Sequence, residues 1–309
     1  MLLAILFLSC LVHLSGGAET AGFWEEFQRY DGWMNNLNLR SRGSVQSNLI
    51  YLAPPAYADG VYAVEEGRVD AGRLSAELLR GPDGIRSPTR LNLLFVAFGQ
   101  MVSGEIVATS SSGAIGCPAE KMKLHTIQEK HCAGNGSVLE CEGAAGQFSP
   151  VFRVAYDPAS GRHFNNPRKP VNYRTAWIDA GVVYSDSWIL VDSLRAWDGS
   201  GQLKSNGLDP VRNEIGAPLL NPPPPALHPH LAPIERQYLV GLSKANQEPG
   251  ILALAFLLHR WHNHWARHLA RQHPAWSDEK LFQRARRWLI ASLQARPFLP
   301  SSSPISLHL

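Results

Sequence analysis

The sequence predicts a mostly α-helical fold with long loops, and three observations carry that expectation. Pro249 sits at a helix start, and 251–270 runs on without glycine or proline until Pro274 ends it. Ser277, followed by Asp278 and Glu279, makes an N-cap with acids in the first turn and opens a helix to about Leu293. No run of strict apolar–polar alternation is long enough for a substantial sheet, and no internal repeat interrupts the chain.

Composition narrows the class. The chain has 309 residues, 45% of them hydrophobic, enough to bury a sizeable core. Charged residues make up 18% and the formal net charge is +3, so neither a disordered polyelectrolyte nor a nucleic-acid partner is expected. No basic block or zinc-finger spacing appears.

The elements follow in order. Leu2–Leu14 is a mostly apolar run followed by Ser15, Gly16, Gly17 and Ala18, the pattern of a signal peptide over 1–18. It is too short to span a bilayer, and no later stretch does better, so a soluble product on the extracellular or lumenal side is expected. Residues 27–37 read as a short element broken by Tyr30-Asp31-Gly32-Trp33, and 53–62 as a loop. Residues 91–107 carry a helix-like apolar pattern, with Gly99 and Gly104 inside it. Residues 109–150 read as a long surface excursion holding Cys117, Cys132 and Cys141, any two of which could pair in an oxidising compartment. Asn135-Gly136-Ser137 is the single glycosylation sequon. Residues 156–170 form another loop, 185–197 a short amphipathic helix, and 221–233, with six prolines, no regular helix.

Seven histidines fall between His228 and His273, and four share one helix: His259, His262, His264 and His268. His259 and His262 lie on one face, and His264 and His268 on another. A zinc hydrolase would need a third ligand and a base at fixed spacing, and no HExxH is present. One histidine within an apolar wall suffices as an axial haem ligand, and Phe256, Leu257, Trp261 and Trp265 could form that wall or plain core.

Here a resemblance enters. Arg260-Trp261-His262-Asn263-His264-Trp265-Ala266 resembles the Arg-Glu-His-Asn-Arg-Leu-Ala segment of the animal haem peroxidases. Phe98-Gly99-Gln100 resembles their Trp-Gly-Gln distal motif, and Thr175-Ala176-Trp177-Ile178-Asp179 their calcium loop. Tyr30-Asp31-Gly32-Trp33 and Tyr57-Ala58-Asp59-Gly60-Val61-Tyr62 are similar to hallmarks of the peroxidase-homology ectodomain of dual oxidases, in an arthropod-like form. The likeness is collinear over about 27–294, leaving 295–309 as a divergent Pro/Ser tail.

The resemblance implies a helical haem-peroxidase-like domain over 19–294, incomplete at its C-terminus, with haem as cofactor and His262 as the proximal ligand position. It places Gln100 and Lys244 on the distal side. The distal histidine of the family falls on Gly104, which carries no proton, and the carboxylates that esterify the haem fall on Ser103 and Gln247, so any haem is expected to be non-covalent. It implies a degraded calcium site at Asp179, Thr175, Trp177 and Glu105, with Gly181 where an oxygen is expected, hence weak binding or none. The function implied is a binding and maturation module of a dual oxidase that generates hydrogen peroxide, with little turnover of its own. Its implied partners are the membrane core and a maturation factor. The alternative is a secreted haem peroxidase oxidising small donors.

Overall fold

The computed structural model describes residues 27–109 except 64, 66, 68, 70, 82, 83, 87, 89 and 90, together with 125–128, 148–151, 154, 156–214 and 236–298. The expected signal peptide, the three cysteines and the Asn135 sequon lie outside the described residues.

In chain order the elements are α1 (Ala71–Leu79), α2 (Leu93–Ile106), β1 (His125–Gln128), β2 (Phe148–Val151), α3 (Gly181–Tyr184), α4 (Trp188–Leu194), β3 (Ser205–Asn206) and β4 (Asp209–Pro210). A 3-10 turn, Ser243–Gln247, then leads into α5 (Pro249–Gln272) and α6 (Asp278–Phe298). The described residues fall into two compact units. One lies within Met1–Val45, Gly81–Ala108 and Arg174–Leu309, the other within Gln46–Arg80 and Thr109–Tyr173.

Helix and loop predominate, as the sequence predicts: among the described residues the sheets are two short antiparallel pairs, β1–β2 and β3–β4. Within the long surface excursion expected over 109–150, β1 pairs antiparallel with β2, His125 standing opposite Val151. Residues 27–37 form turns rather than a regular element. Asp31 fixes them by accepting from the Trp33 amide at 3.0 Å and pairing with Arg29 at 2.6 Å.

Each principal helix begins at a group that satisfies its first amides. Asn92 accepts from the Phe95 amide at 3.2 Å at the start of α2. Pro249 opens α5, where a missing N–H costs nothing. Ser277 Oγ accepts from the Lys280 amide at 3.3 Å ahead of α6, with Asp278 and Glu279 in the first turn. Helix α6 runs past the expected end near Leu293 into the segment read as a tail. Leu289, Ile290 and Leu293 are buried on its inner face and carry the helix one turn further.

The core of the first unit gathers Met101 of α2, Val182 and Tyr184 of α3, Leu190 and Val191 of α4, Ile251 and Ala255 of α5, and Phe282 and Leu289 of α6. Helices α5 and α6 also meet through aromatic rings. Trp265 and Trp288 stack with centroids 4.6 Å apart and planes 7° from parallel, and Trp261 Nε1 donates to Ser292 Oγ at 3.3 Å. In the second unit, the Arg168 guanidinium lies between the Tyr62 and Tyr156 rings, 4.0 and 4.2 Å from their centroids. Asp59 accepts from the amides of Val61, Tyr62 and Ala63, which gives the Tyr57–Tyr62 motif a turn-forming role there.

Candidate functional site

Helix α5 brings the motif 259–263 against the segment 201–209. Asn263 Oδ1 accepts from the Leu203 amide at 2.8 Å, while its Nδ2 donates to the Leu203 carbonyl at 3.1 Å and to Ser205 Oγ at 2.9 Å. Ser205 Oγ also lies 2.9 Å from His259 Nε2. Arg260 pairs with Asp209 at 2.5 Å on the surface. Positions 259, 262 and 263 share a helix face, so one turn of α5 grips a segment that also pairs by backbone with Arg195 and, through β3, with β4.

His262 lies at the centre of this grip, fully buried. Its Nδ1 is 2.7 Å from the Tyr184 hydroxyl and its Nε2 is 3.0 Å from the Gly201 carbonyl. A carbonyl only accepts, so Nε2 carries the proton, and Nδ1 accepts from the tyrosine. Burial holds the ring neutral, pushing its pKa down to about 3. Phe282 tilts against it at 4.9 Å. On this geometry the ring has no bare nitrogen for the axial haem role that the resemblance implies. A ligating imidazole presents one bare nitrogen to the metal and uses the other as its anchor. Here both nitrogens are occupied by the protein. His262 does not fit the haem, and it ties α5 to α3 and to Gly201.

The remaining histidines divide as the face pattern implies. His259 is buried with its pKa pushed down to about 4 by desolvation. His264 and His268 stack along the outer face of α5, ring centroids 6.5 Å apart, with His264 exposed.

The residues assigned to the distal side lie apart from that buried histidine. Gln100 and Ser103 are exposed on α2, and Lys244 and Gln247 are exposed on the 3-10 turn. Gly104 faces the turn, and a Cβ placed there would stand 3.2 Å from Leu242 Cδ2. Leucine thus fills the space where the stem of a base would lie. Proton transfer to or from a bound peroxide needs a titratable group within about 3 Å of it, and no side chain at 103 or 104 can supply one.

The four residues of the calcium expectation are brought closer together. Thr175 Oγ1 donates to Asp179 Oδ2 at 3.0 Å and lies 3.3 Å from the Trp177 carbonyl. Glu105 reaches the same region from α2. Its Oε1 accepts from the Val182 amide at 3.1 Å, and its Oε2 is buried without a hydrogen-bond partner. Burial pushes Glu105 up to about 8 and Asp179 up to about 7, with the charge of Asp179 adding to the rise at Glu105 and that of Asp186 to the rise at Asp179. Asp186, which the sequence reading missed, also faces this point. A Gly181 Cβ would stand 3.2 Å from its Oδ1, so Asp186 supplies an oxygen near the position Gly181 leaves bare. Asp186 is held by Arg174 at 3.1 Å. Still, no group of three or more acidic, histidine or cysteine side chains converges as a metal cage among the described residues. The orphaned Glu105 oxygen and the Thr175–Asp179 pair fit a cation, though with fewer oxygens than the six to eight calcium favours.

Comparison with known proteins agrees with the fold. The animal haem peroxidase family model matches residues 27–300, and the chain belongs to that family, whose cofactor is haem. It is 42% identical over 271 residues to the dual oxidase of Drosophila melanogaster, covering 87% of this chain and 17% of that protein. Dual oxidase 1 of Caenorhabditis elegans is 40% identical over 281 residues, covering 89% of this chain and 18% of the relative. The chain therefore spans less than a fifth of the length of these curated relatives. Among solved structures, peroxidase A from Dictyostelium discoideum is similar with a TM-score of 0.67 at 25% identity, covering 87% of this chain and 51% of that one. The Arabidopsis thaliana fatty acid alpha-dioxygenase shares the fold, with a TM-score of 0.60 at 17% identity over 86% of this chain and 35% of that one.

Proposed function

We propose that the chain acts as a peroxidase-homology module of the dual oxidase type, serving in binding and maturation rather than in turnover of its own. The observation that carries this reading is Gly104 itself, which leaves the base position of the family without a titratable group and with Leu242 Cδ2 only 3.2 Å from where a Cβ would stand. The occupied ring of His262 supports it. In this reading the module works on the extracellular or lumenal side, after removal of a signal peptide over 1–18, beside a membrane core and a maturation factor. No described helix is long and apolar enough to cross a membrane. In this reading residues 19–294 form the module and 295–309 its tail, the family match itself running over 27–300, and Asn135 carries the glycan. The same reading makes calcium a weak ligand of Asp179, Thr175, Trp177 and Glu105, and leaves Gln100 and Lys244 as remnants of a distal pair.

Haem addition tests the proposal. Titration of the purified chain with haemin is expected to give no saturable Soret shift. Peroxide-dependent oxidation of a phenolic donor is expected to stay at the rate of free haemin. Saturable one-to-one haem uptake with turnover that vanishes in His262→Ala would overturn both the module reading and the role assigned to that histidine.

A further inference from the structure

The first unit contains a cavity of about 250 Å³ between the turns at 27–35 and the face of α6 that carries Gln283, Arg286 and Ile290. Its floor includes Arg286, of which 2% is exposed. Arg286 Nη1 donates to the Gln28 carbonyl at 2.6 Å and to Gln283 Oε1 at 3.3 Å, while its Nε is buried with no hydrogen-bond partner. The guanidinium lies 4.3 Å from the Tyr30 ring centroid and close enough to Asp179 to lower that acid's pKa, yet it makes no ion pair with any described carboxylate. Arg29, on the same wall, is already neutralised by Asp31. Arg287, at the rim, is exposed and has no ion-pair partner among the described residues. The lining is mixed: Gln28, Asn35 and Gln283 are polar, while Phe27, Trp33, Met34 and Ile290 supply its apolar part.

A buried guanidinium with no direct ion pair and an unpartnered Nε is costly, and its planar fork suits an anion that can accept two parallel hydrogen bonds, as a carboxylate does. Aromatic walls around one such charge match a ligand with an apolar body and an acidic end. We propose that this cavity is a binding site for a small aromatic or arylalkyl monocarboxylate, with Arg286 and Arg287 receiving the carboxylate and Phe27, Trp33 and Ile290 enclosing the ring. The site is separate from the residues assigned to haem, and it adjoins the calcium expectation through the charge of Arg286 on Asp179.

Calorimetric titration of the full chain with 3-phenylpropionate tests this, with 3-phenylpropanamide and inorganic phosphate as the other two arms. The acid is expected to bind with one-to-one stoichiometry and at least about tenfold more tightly than its amide, since a charge-assisted bidentate contact is lost in the amide. Phosphate is expected not to compete. Arg287→Gln, at an exposed position, should weaken the acid severalfold. Asn35→Trp, which places an indole in the cavity, should abolish binding while leaving the thermal midpoint in place. Arg286→Lys keeps the charge and loses the fork, so it should weaken binding more than Arg287→Gln if it folds. Equal affinity for acid and amide, full competition by phosphate, undiminished binding in Asn35→Trp, or no heat with the acid up to about 10 mM would each overturn the proposal.

Discussion

His262 shows how much one buried side chain can be asked to hold. Its two hydrogen bonds reach a hydroxyl on α3 and a carbonyl in an irregular segment, groups that have no water to turn to. His262→Ala should therefore strand both, and each orphaned buried group costs about 1–3 kcal/mol. A loss of about 2–5 kcal/mol in chemical denaturation is expected, with His262→Gln losing less because it keeps a donor and an acceptor. A substitution cost under about 0.5 kcal/mol would show that the tie is ornamental. This residue was legible in the sequence as important but not in its role. Spacing reveals which residues share a helix face, whereas what faces them comes from a segment some sixty residues away. Asp186 and Arg286 were missed for the same reason: a single charge in an ordinary local context gives no sign that it will be buried.

At the scale of elements, the packing is set by close approaches of backbone. Gly201 has φ +67, and a Cβ there would stand 2.5 Å from Leu281 Cβ and 2.7 Å from the Phe282 amide nitrogen. The first turn of α6 thus rests directly on this glycine, and Gly201→Ala is expected to cost more than about 3 kcal/mol by thermal or denaturant unfolding. Arg195 secures the same junction. It pairs with Asp278 at 2.7 Å and with Glu279, and its guanidinium lies over Trp197 and Phe282. Arg195→Met leaves two acids at a helix N-terminus, where the dipole still favours them, so the loss should be about 1–3 kcal/mol rather than the 3–5 of a wholly buried broken pair. The helices themselves were readable, because Pro249, Pro274 and Ser277 mark their limits chemically. Helix α1, the β1–β2 pairing and the last turn of α6 were not, since each depends on partners rather than on its own sequence pattern.

For the molecule as a whole, buried titrating groups predict an unusual response to pH. His259 and His262 titrate near 4 and 3 when folded, below the ordinary 6.5, so the stability they contribute is lost as pH falls from about 6.5. Glu105 and Asp179 titrate near 8 and 7, above their ordinary values, so theirs is present in acid and lost as pH rises to about 8. Between roughly pH 4.5 and 6.5 the unfolded chain has gained two histidine protons and the folded chain has kept two carboxyl protons, so the slopes cancel. The expected profile is a plateau over that range with falls on both sides. Glu105→Gln should raise stability near pH 8 relative to the parent and leave the acid limb alone. A profile peaking at pH 8 would contradict the burial of those two carboxyls. Millimolar calcium, if it engages Asp179 and Glu105, should displace their protons and flatten the alkaline limb.

The stacked Trp265 and Trp288 rings have an optical consequence. Two indoles stacked 4.6 Å apart with nearly parallel planes, one on α5 and one on α6, are close enough for their excited states to mix. Their coupling should appear as a signed couplet in circular dichroism near the strong indole band, absent from either Trp265→Phe or Trp288→Phe. The chain thus carries its own spectroscopic gauge of one helix hairpin, readable without a label. During unfolding, the couplet would report when those two helices part, independently of the moment when helicity itself is lost.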